Sequence, residues 1–283
     1  MTPAPETLAP SWPLGHRQYV GDTDLTAVGR LDRSTRLRAA FATERVQAVG
    51  RKAPSGWPIG LETNLFAIAW PDLSGAIDCR DYLGEMGIPY TPGAFRPEVL
   101  DRPPSELGLV SLFQGMDEGP LRRPSVARAV RLMGIEAAWR TSPARTTRFS
   151  SGHYTEFADP GRSARPLDRL LRSITKAGPA GSALVRGAHA YFAMGVYHPL
   201  QDGNGRAARA LFQCVLKADL GIAAPLFPLG PLMERNKRAL LNAKSAWYWD
   251  SDANPLVRFV TEATIAYCDF YEAEWSRDGG TAA

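Results

Sequence analysis

The chain has 283 residues, of which 45% are hydrophobic and 22% charged, and its formal net charge is +4. That is enough apolar material for one large core, or for one domain with an N-terminal addition. The mild, diffuse charge contains no Lys/Arg run interleaved with aromatics, which argues against a nucleic-acid partner, and no apolar run approaches the length of a membrane span.

Three cysteines, Cys79, Cys214 and Cys268, are scattered and odd in number, and the latter two sit in apolar helical patterns. They read as buried, reduced thiols. Met1 to Pro13 has neither a basic start nor an apolar stretch of leader length, so the expected location is the cytoplasm. Export as an effector by a route that needs no hydrophobic leader stays open.

In chain order, residues 1–23 read as an arm rich in Pro, Thr and Gly. Asp32-Arg33-Ser34 can cap a helix running to about Val49, with Leu37, Phe41 and Val46 as its apolar side. Residues 52–58 read as a Gly/Pro loop, 61–70 as apolar and ambiguous between helix and strand, and 74–86 as a short helix. Prolines 89, 92, 97, 103 and 104 make residues 87–104 a loop or linker. A soft boundary there divides an N-terminal accessory or lid region, 1–104, from a main domain, 105–283.

Beyond the boundary, Pro124-Ser125 starts a helix expected to reach about Trp139, with Val126, Val130, Met133 and Ala137 on one face. Residues 145–157 are β-prone on both sides of a Ser-Ser-Gly turn and read as a hairpin. Residues 166–176 read as a helix carrying Leu170, Leu171 and Ile174. Helices over 183–197 and 207–220 follow, the first closed by Pro199 and the second stopped by Gly221. Helices over 232–247 and 255–275 complete the bundle. The stripe of Phe259, Val260, Ala263, Tyr267, Phe270 and Tyr271 reads as core. His189 reads as a packed histidine, and His16 carries no signal.

Between the helices over 183–197 and 207–220 lies His198-Pro199-Leu200-Gln201-Asp202-Gly203-Asn204-Gly205-Arg206-Ala207-Ala208-Arg209. A Gly-x-Gly alone is a turn, a His-Pro alone is a helix end, and two arginines alone are a solvated face. Together they make a loop built to hold an anion. The glycines permit a tight turn, successive N–H groups form a concavity for oxyanions, and the following helix adds its own free N–H groups. Arg206 and Arg209 are close enough on that helix to share one polyphosphate. Asp202 is a hard-oxygen ligand suited to Mg²⁺, and His198 can take a proton from a hydroxyl near neutral pH.

These residues resemble the Fic motif, His-x-Phe-x-Asp/Glu-Gly-Asn-Gly-Arg-x-x-Arg, at every position but one, where Leu200 stands for Phe. The resemblance is tight over 198–209 and loose over roughly 120–275. It implies an all-α, Fic-type helical bundle with a small β-hairpin flap, and an enzyme that moves AMP from ATP onto a Tyr, Thr or Ser hydroxyl of a target protein. His198 would be the general base, Asp202 would hold Mg²⁺, and Gly203, Asn204 and Gly205 would form the anion hole. Arg206 and Arg209 would hold the β- and γ-phosphates. The hairpin, with Arg148, Phe149, Ser150, Ser151, Gly152 and His153 at its centre, would be the flap that docks the target; a plain surface hairpin accounts for the same residues.

Other readings keep the pocket and change the outcome: a catalytically silent or partner-held nucleotide-binding module, transfer of UMP or phosphocholine, removal of AMP, or modification of a small molecule. Intact His198 and the intact loop favour transfer, and the retained Gly-Asn-Gly argues against a phosphorylating variant. Many Fic proteins restrain themselves through Ser/Thr-x-x-x-Glu-Gly/Asn. Only Glu6 has a hydroxyl residue four places before it, Thr2, and Thr7 follows it; Glu118-Gly119 has Gln114 at the hydroxyl position. No such latch is expected, so restraint falls to a separate inhibitory partner, to the N-terminal region, or to target availability.

Overall fold

A computed structural model of the chain describes residues 31–52, 103–144, 157–221, 240, 243–244, 246–247 and 252–277. Its named elements are all helices: α1 (Arg33–Lys52), α2 (Pro103–Glu118), α3 (Arg123–Leu132), α4 (Pro160–Ile174), α5 (Ala183–Tyr197), α6 (Asn204–Leu220) and α7 (Asn254–Arg277). No strand occurs among the described residues; one isolated antiparallel bridge joins Trp139 to Leu200. None of the described helices is long and apolar enough to cross a membrane.

The core forms around α5. Its sequence is apolar on every side, and every residue except Val185 and Gly195 is buried. A helix of that composition is stable only when enclosed. Helices α1, α4, α6 and α7 all pack on it, with the most extensive contact to α6. Burying an aromatic or large aliphatic side chain contributes about 1.5–3 kcal/mol, so Phe192, Tyr197 and Phe212 carry a large share of this centre. Helices α5 and α6 run antiparallel and approach closely where Gly187 faces Phe212. A Cβ at Gly187 would lie 2.8 Å from that ring.

Helix α1 lies parallel to α7. Asp32 accepts from Thr35 N–H at 2.7 Å, which caps α1, and its own N–H donates to Asn254 Oδ1 at 2.9 Å. The Thr35 N–H, then Ser34, with smaller help from Thr35 Oγ1 and Arg258, hold the Asp32 carboxyl well below the usual carboxylate range. Further along, Arg38 pairs with Glu262, and Arg45 with Asp269 and Glu272. These pairs are largely solvent-exposed and set register more than stability.

Several expected elements shift. Of the expected apolar side of α1 only Val46 is buried: Leu37 is 61% and Phe41 52% exposed, while Thr35, Ala39, Ala42, Thr43 and Val49 join Val46 inside. Small residues face inward because α1 lies close against α7. The helix from Pro124 ends at Leu132, not near Trp139. Gly134, at φ 77°, takes the left-handed turn, and residues 135–140 run on outside any helix to the bridge at Trp139.

Helix α4 starts at Pro160, not Pro166. Asp159 accepts from the Arg162 N–H at 3.1 Å and Pro160 takes the first position, so Pro166 is carried inside the helix. Helix α2 begins at Pro103, in the stretch read as linker, again with proline in the first turn. Helix α6 starts at Asn204, three residues before Ala207.

Cys214 and Cys268 are buried, as expected; burial pushes Cys268 up to about 12 and Cys214 higher still. Phe259, Val260, Ala263 and Tyr267 are buried as read, and so is His189, beside the Trp247 ring at 5.6 Å. The expected elements at 52–58, 61–70, 74–86 and 87–102 fall outside the described residues, apart from the end of α1. So do the hairpin residues 145–156 and most of 232–247.

Candidate functional site

The cleft sits where α5 hands over to α6. Its volume is about 460 Å³. Gly134 and Ile135, just past α3, line one side; residues 202–206, with His198 and Arg209, line the other. The structure therefore brings together every residue of the predicted constellation: His198, Asp202, Gly203, Asn204, Gly205, Arg206 and Arg209. The flap residues Arg148, Phe149, Ser150, Ser151, Gly152 and His153 lie outside the described residues. The ends of that stretch are joined, since Phe157 N–H donates to the Ala144 carbonyl at 2.9 Å.

The loop is shaped by its own sequence. Asn204 closes it from within: Oδ1 accepts from Leu200 N–H at 2.9 Å and Nδ2 donates to the Leu200 carbonyl at 2.7 Å. Asn204 is thus a buried staple, and its share in an anion hole is limited to its backbone. Leu200 is fully buried, and the main chain around it pairs with α3's extension through Arg140 N–H to Pro199 O at 2.8 Å and Gln201 N–H to Ala138 O at 2.9 Å. Leu200, smaller than the aromatic of the motif, stands directly across the bridge from Trp139.

Gly203 is held at φ 83°, and a Cβ there would lie 2.5 Å from Val130 Cγ1. Both the backbone angle and the close approach to α3 require glycine. Gly203 also occupies the N-cap of α6, where no side chain caps the first N–H groups. Those donors open toward the cleft, with the helix dipole behind them.

Arg206 Nη1 donates to the Met133 carbonyl at 2.6 Å, which ties α6 to the end of α3. A guanidinium has five donors, so this bond leaves most of them to the cleft. Arg209 folds back over the loop, with Nη1 3.4 Å from where a Gly205 Cβ would stand. Asp202 Oδ1 accepts from Gly203 N–H at 2.6 Å. It is the one acidic side chain lining the cleft among the described residues.

No cluster of three or more His, Cys, Asp or Glu side chains suited to a metal occurs among those residues. A zinc-type site is not formed here. One exposed carboxylate beside the uncapped start of α6 and two arginines fits Mg²⁺, which takes one or two carboxylates and draws its other ligands from phosphate and water.

His198 is the C-cap of α5, at φ 42° and ψ 53°, and its N–H donates to Met194 O at 3.0 Å. Among the described residues it alone, apart from glycines, has a positive φ. Phe157 stacks on its ring at 3.6 Å with the planes 7° apart. Burial, then Arg140 and Lys244, push the imidazole down to about 4, against the Gly195 carbonyl that accepts from it and the Asp202 carboxylate. The ring is therefore neutral across the physiological range, with one nitrogen engaged as donor and the other carrying a lone pair.

Two residues in this frame escape a reading of the sequence. Phe157 closes the hairpin stretch and carries no motif. Arg140 is a lone arginine after Ala137-Ala138-Trp139, buried to 7% exposure. Only its place directly after an apolar run hints at burial.

Residues 113–216 match the model of the Fic/DOC family, a span that holds α3, α4, α5, most of α6 and the whole cleft. No curated protein matches the chain.

Proposed function

We propose, for a chain that belongs to the Fic/DOC family through its residues 113–216, that it is a protein adenylyltransferase, moving AMP from ATP to a Tyr, Thr or Ser hydroxyl of a target protein. The observation that carries this reading is the meeting in one cleft of a neutral histidine, an uncapped helix N-terminus and two arginines. A neutral imidazole accepts the hydroxyl proton as the oxygen attacks the α-phosphorus. The P–O bond to the β-phosphate breaks, and pyrophosphate leaves with the charge.

The Asn204 and Gly205 amides and the α6 dipole stabilise the anion that develops, joined by the Gly203 amide once Asp202 turns from it to Mg²⁺. Arg206 and Arg209 orient the β- and γ-phosphates. Asp202 would hold Mg²⁺, which neutralises phosphate charge when bound.

Binding is tested first. Calorimetry with ATP and Mg²⁺ should show a roughly ten- to hundredfold weaker affinity in Arg209→Ala, on the order of 1.5–3 kcal/mol for a charge-assisted contact. Equal affinity in both proteins contradicts the phosphate role of Arg209. Competition by CTP, GTP and UTP in the same cell identifies the base that the cleft selects.

A further inference from the structure

Arg140 lies outside the motif and does not line the cleft, yet its guanidinium is buried and almost fully engaged. Among the described residues its bonds run to four backbone carbonyls. Nε donates to His198 O, Nη1 to Ser142 O at 2.9 Å, and Nη2 to Ala158 O at 2.7 Å and Tyr197 O at 3.1 Å. Tyr197 is the last residue of α5 and His198 its cap. A cation docked on the carbonyl end of a helix satisfies groups that have no intrahelical partner and complements the dipole.

We propose that Arg140 is the positioning residue of the His198 base: by binding the Tyr197 and His198 carbonyls, it holds His198 in its left-handed backbone conformation and so aims the imidazole into the cleft. The inference rests on His198 acting as the base in the reading above. The conformation needs such a hold. A non-glycine residue at φ 42° is strained, and a residue before proline, as His198 is before Pro199, is pushed toward extended backbone. Strain of this kind persists only where the surroundings over-determine it.

The surroundings here are the Arg140 fork on the backbone and the Phe157 ring on the imidazole. The fork reaches Ala158 as well, the residue after Phe157, so one guanidinium fixes both the histidine and the stretch of chain that carries its stacking partner. The main-chain bridge does not depend on the side chain, because Pro199 O accepts from the Arg140 backbone N–H. A substitution therefore removes the fork without removing the bridge.

The experiment compares wild type, Arg140→Met and Arg140→Lys in the full chain. It measures thermal melting, calorimetric affinity for ATP with Mg²⁺, kcat and KM of AMP transfer, and the NMR signals of the His198 amide and ring. In Arg140→Met, kcat should fall about a hundredfold, the usual cost of an ångström-scale misplacement. KM and ATP affinity should stay within about threefold, and the His198 signals should shift or broaden. Arg140→Lys should recover part of kcat, since a point charge reaches some carbonyls but not all four.

A folded Arg140→Met protein with wild-type kcat and unmoved His198 signals overturns the proposal. So does a loss of ATP affinity parallel to the loss of kcat, which would mean general collapse of the site. If the Met variant does not fold, a Lys variant identical to wild type in kcat and His198 signals overturns it. A wild-type chain that transfers no AMP contradicts the base assignment instead, and the His198 signals then still decide what Arg140 holds.

Discussion

Two buried arginines sit at opposite ends of α5 and do the same thing to neighbouring backbone, with different consequences. Near the start, Arg186 donates to the Ser173 and Lys176 carbonyls at 3.1 and 2.7 Å, closing the end of α4. It also pairs with Asp219 near the end of α6, and both side chains are 3% exposed. Asp219 in turn accepts from the Gly178 N–H at 2.8 Å. At the far end, Arg140 likewise gathers carbonyls, but its bonds among the described residues include no carboxylate. Burial lowers its affinity for the proton and Asp159, through space, opposes that.

The neutralised cation braces three helices. The cation without a bonded counter-ion lies beside the histidine and helps keep it neutral. Charge balance, more than burial or bond number, separates the brace from the group that tunes the site.

The largest effect expected from this contrast is on stability. Arg186→Met leaves Asp219 buried without its partner, and the loss should be about 3–5 kcal/mol in urea unfolding. The double variant Arg186→Met/Asp219→Leu should recover most of it. ATP affinity of the folded protein should not change in either. If the single variant unfolds at the wild-type urea midpoint, the pair is not a brace.

A smaller effect concerns pH. His198 is held near 4 in the folded chain, against an ordinary value of 6.5. Below 6.5 the unfolded chain therefore binds a proton that the folded chain refuses. The contribution to stability is complete above about pH 6.5 and is lost as pH falls toward 4, by at most about 3 kcal/mol. Urea midpoints at pH 7 and pH 5 should differ accordingly, and the gap should narrow in His198→Ala. The acid limb of kcat/KM should also lie below the ordinary histidine range. A limb centred near 6.5 would show that the ring is more open to solvent than its packing against Phe157 implies.

Smallest is the outward face of α1. Leu37→Ser with Phe41→Ser removes two exposed side chains and should change stability by less than about 0.5 kcal/mol per site. A loss of several kcal/mol would mean that this face is covered in solution.

The sequence marked the loop over 198–209 because its chemistry is local: each residue acts within a few positions of its neighbours in one helix–loop–helix. The uncapped start of α6 and the Gly221 stop follow from that short range, whereas the far side of the cleft, Gly134 and Ile135, does not. Asn204 shows the limit even there. Its side chain turns inward to staple Leu200, which no spacing rule reports.

Long-range placement was less legible. Leu37 and Phe41 fit a helical stripe, yet the close approach of α7 favours Ala39, Ala42 and Thr43 inside. Residues 135–139 continued an apolar helical pattern, but Gly134 ends the helix and the chain pairs with the loop at Leu200. Arg140 has little local signal beyond its place after an apolar run, because three of its four acceptors, the carbonyls at 158, 197 and 198, lie far along the chain.

The central claim is that His198 drives transfer of the nucleotide from the α-phosphate. The most direct measurement incubates wild type and His198→Ala with target lysate and ATP labelled either at the α- or at the γ-phosphate, and follows label in protein. The account predicts label in protein from α-labelled ATP only, lost by a factor of about 10² or more in His198→Ala while ATP affinity is kept. Label from the γ-phosphate, or undiminished label in His198→Ala, would contradict it.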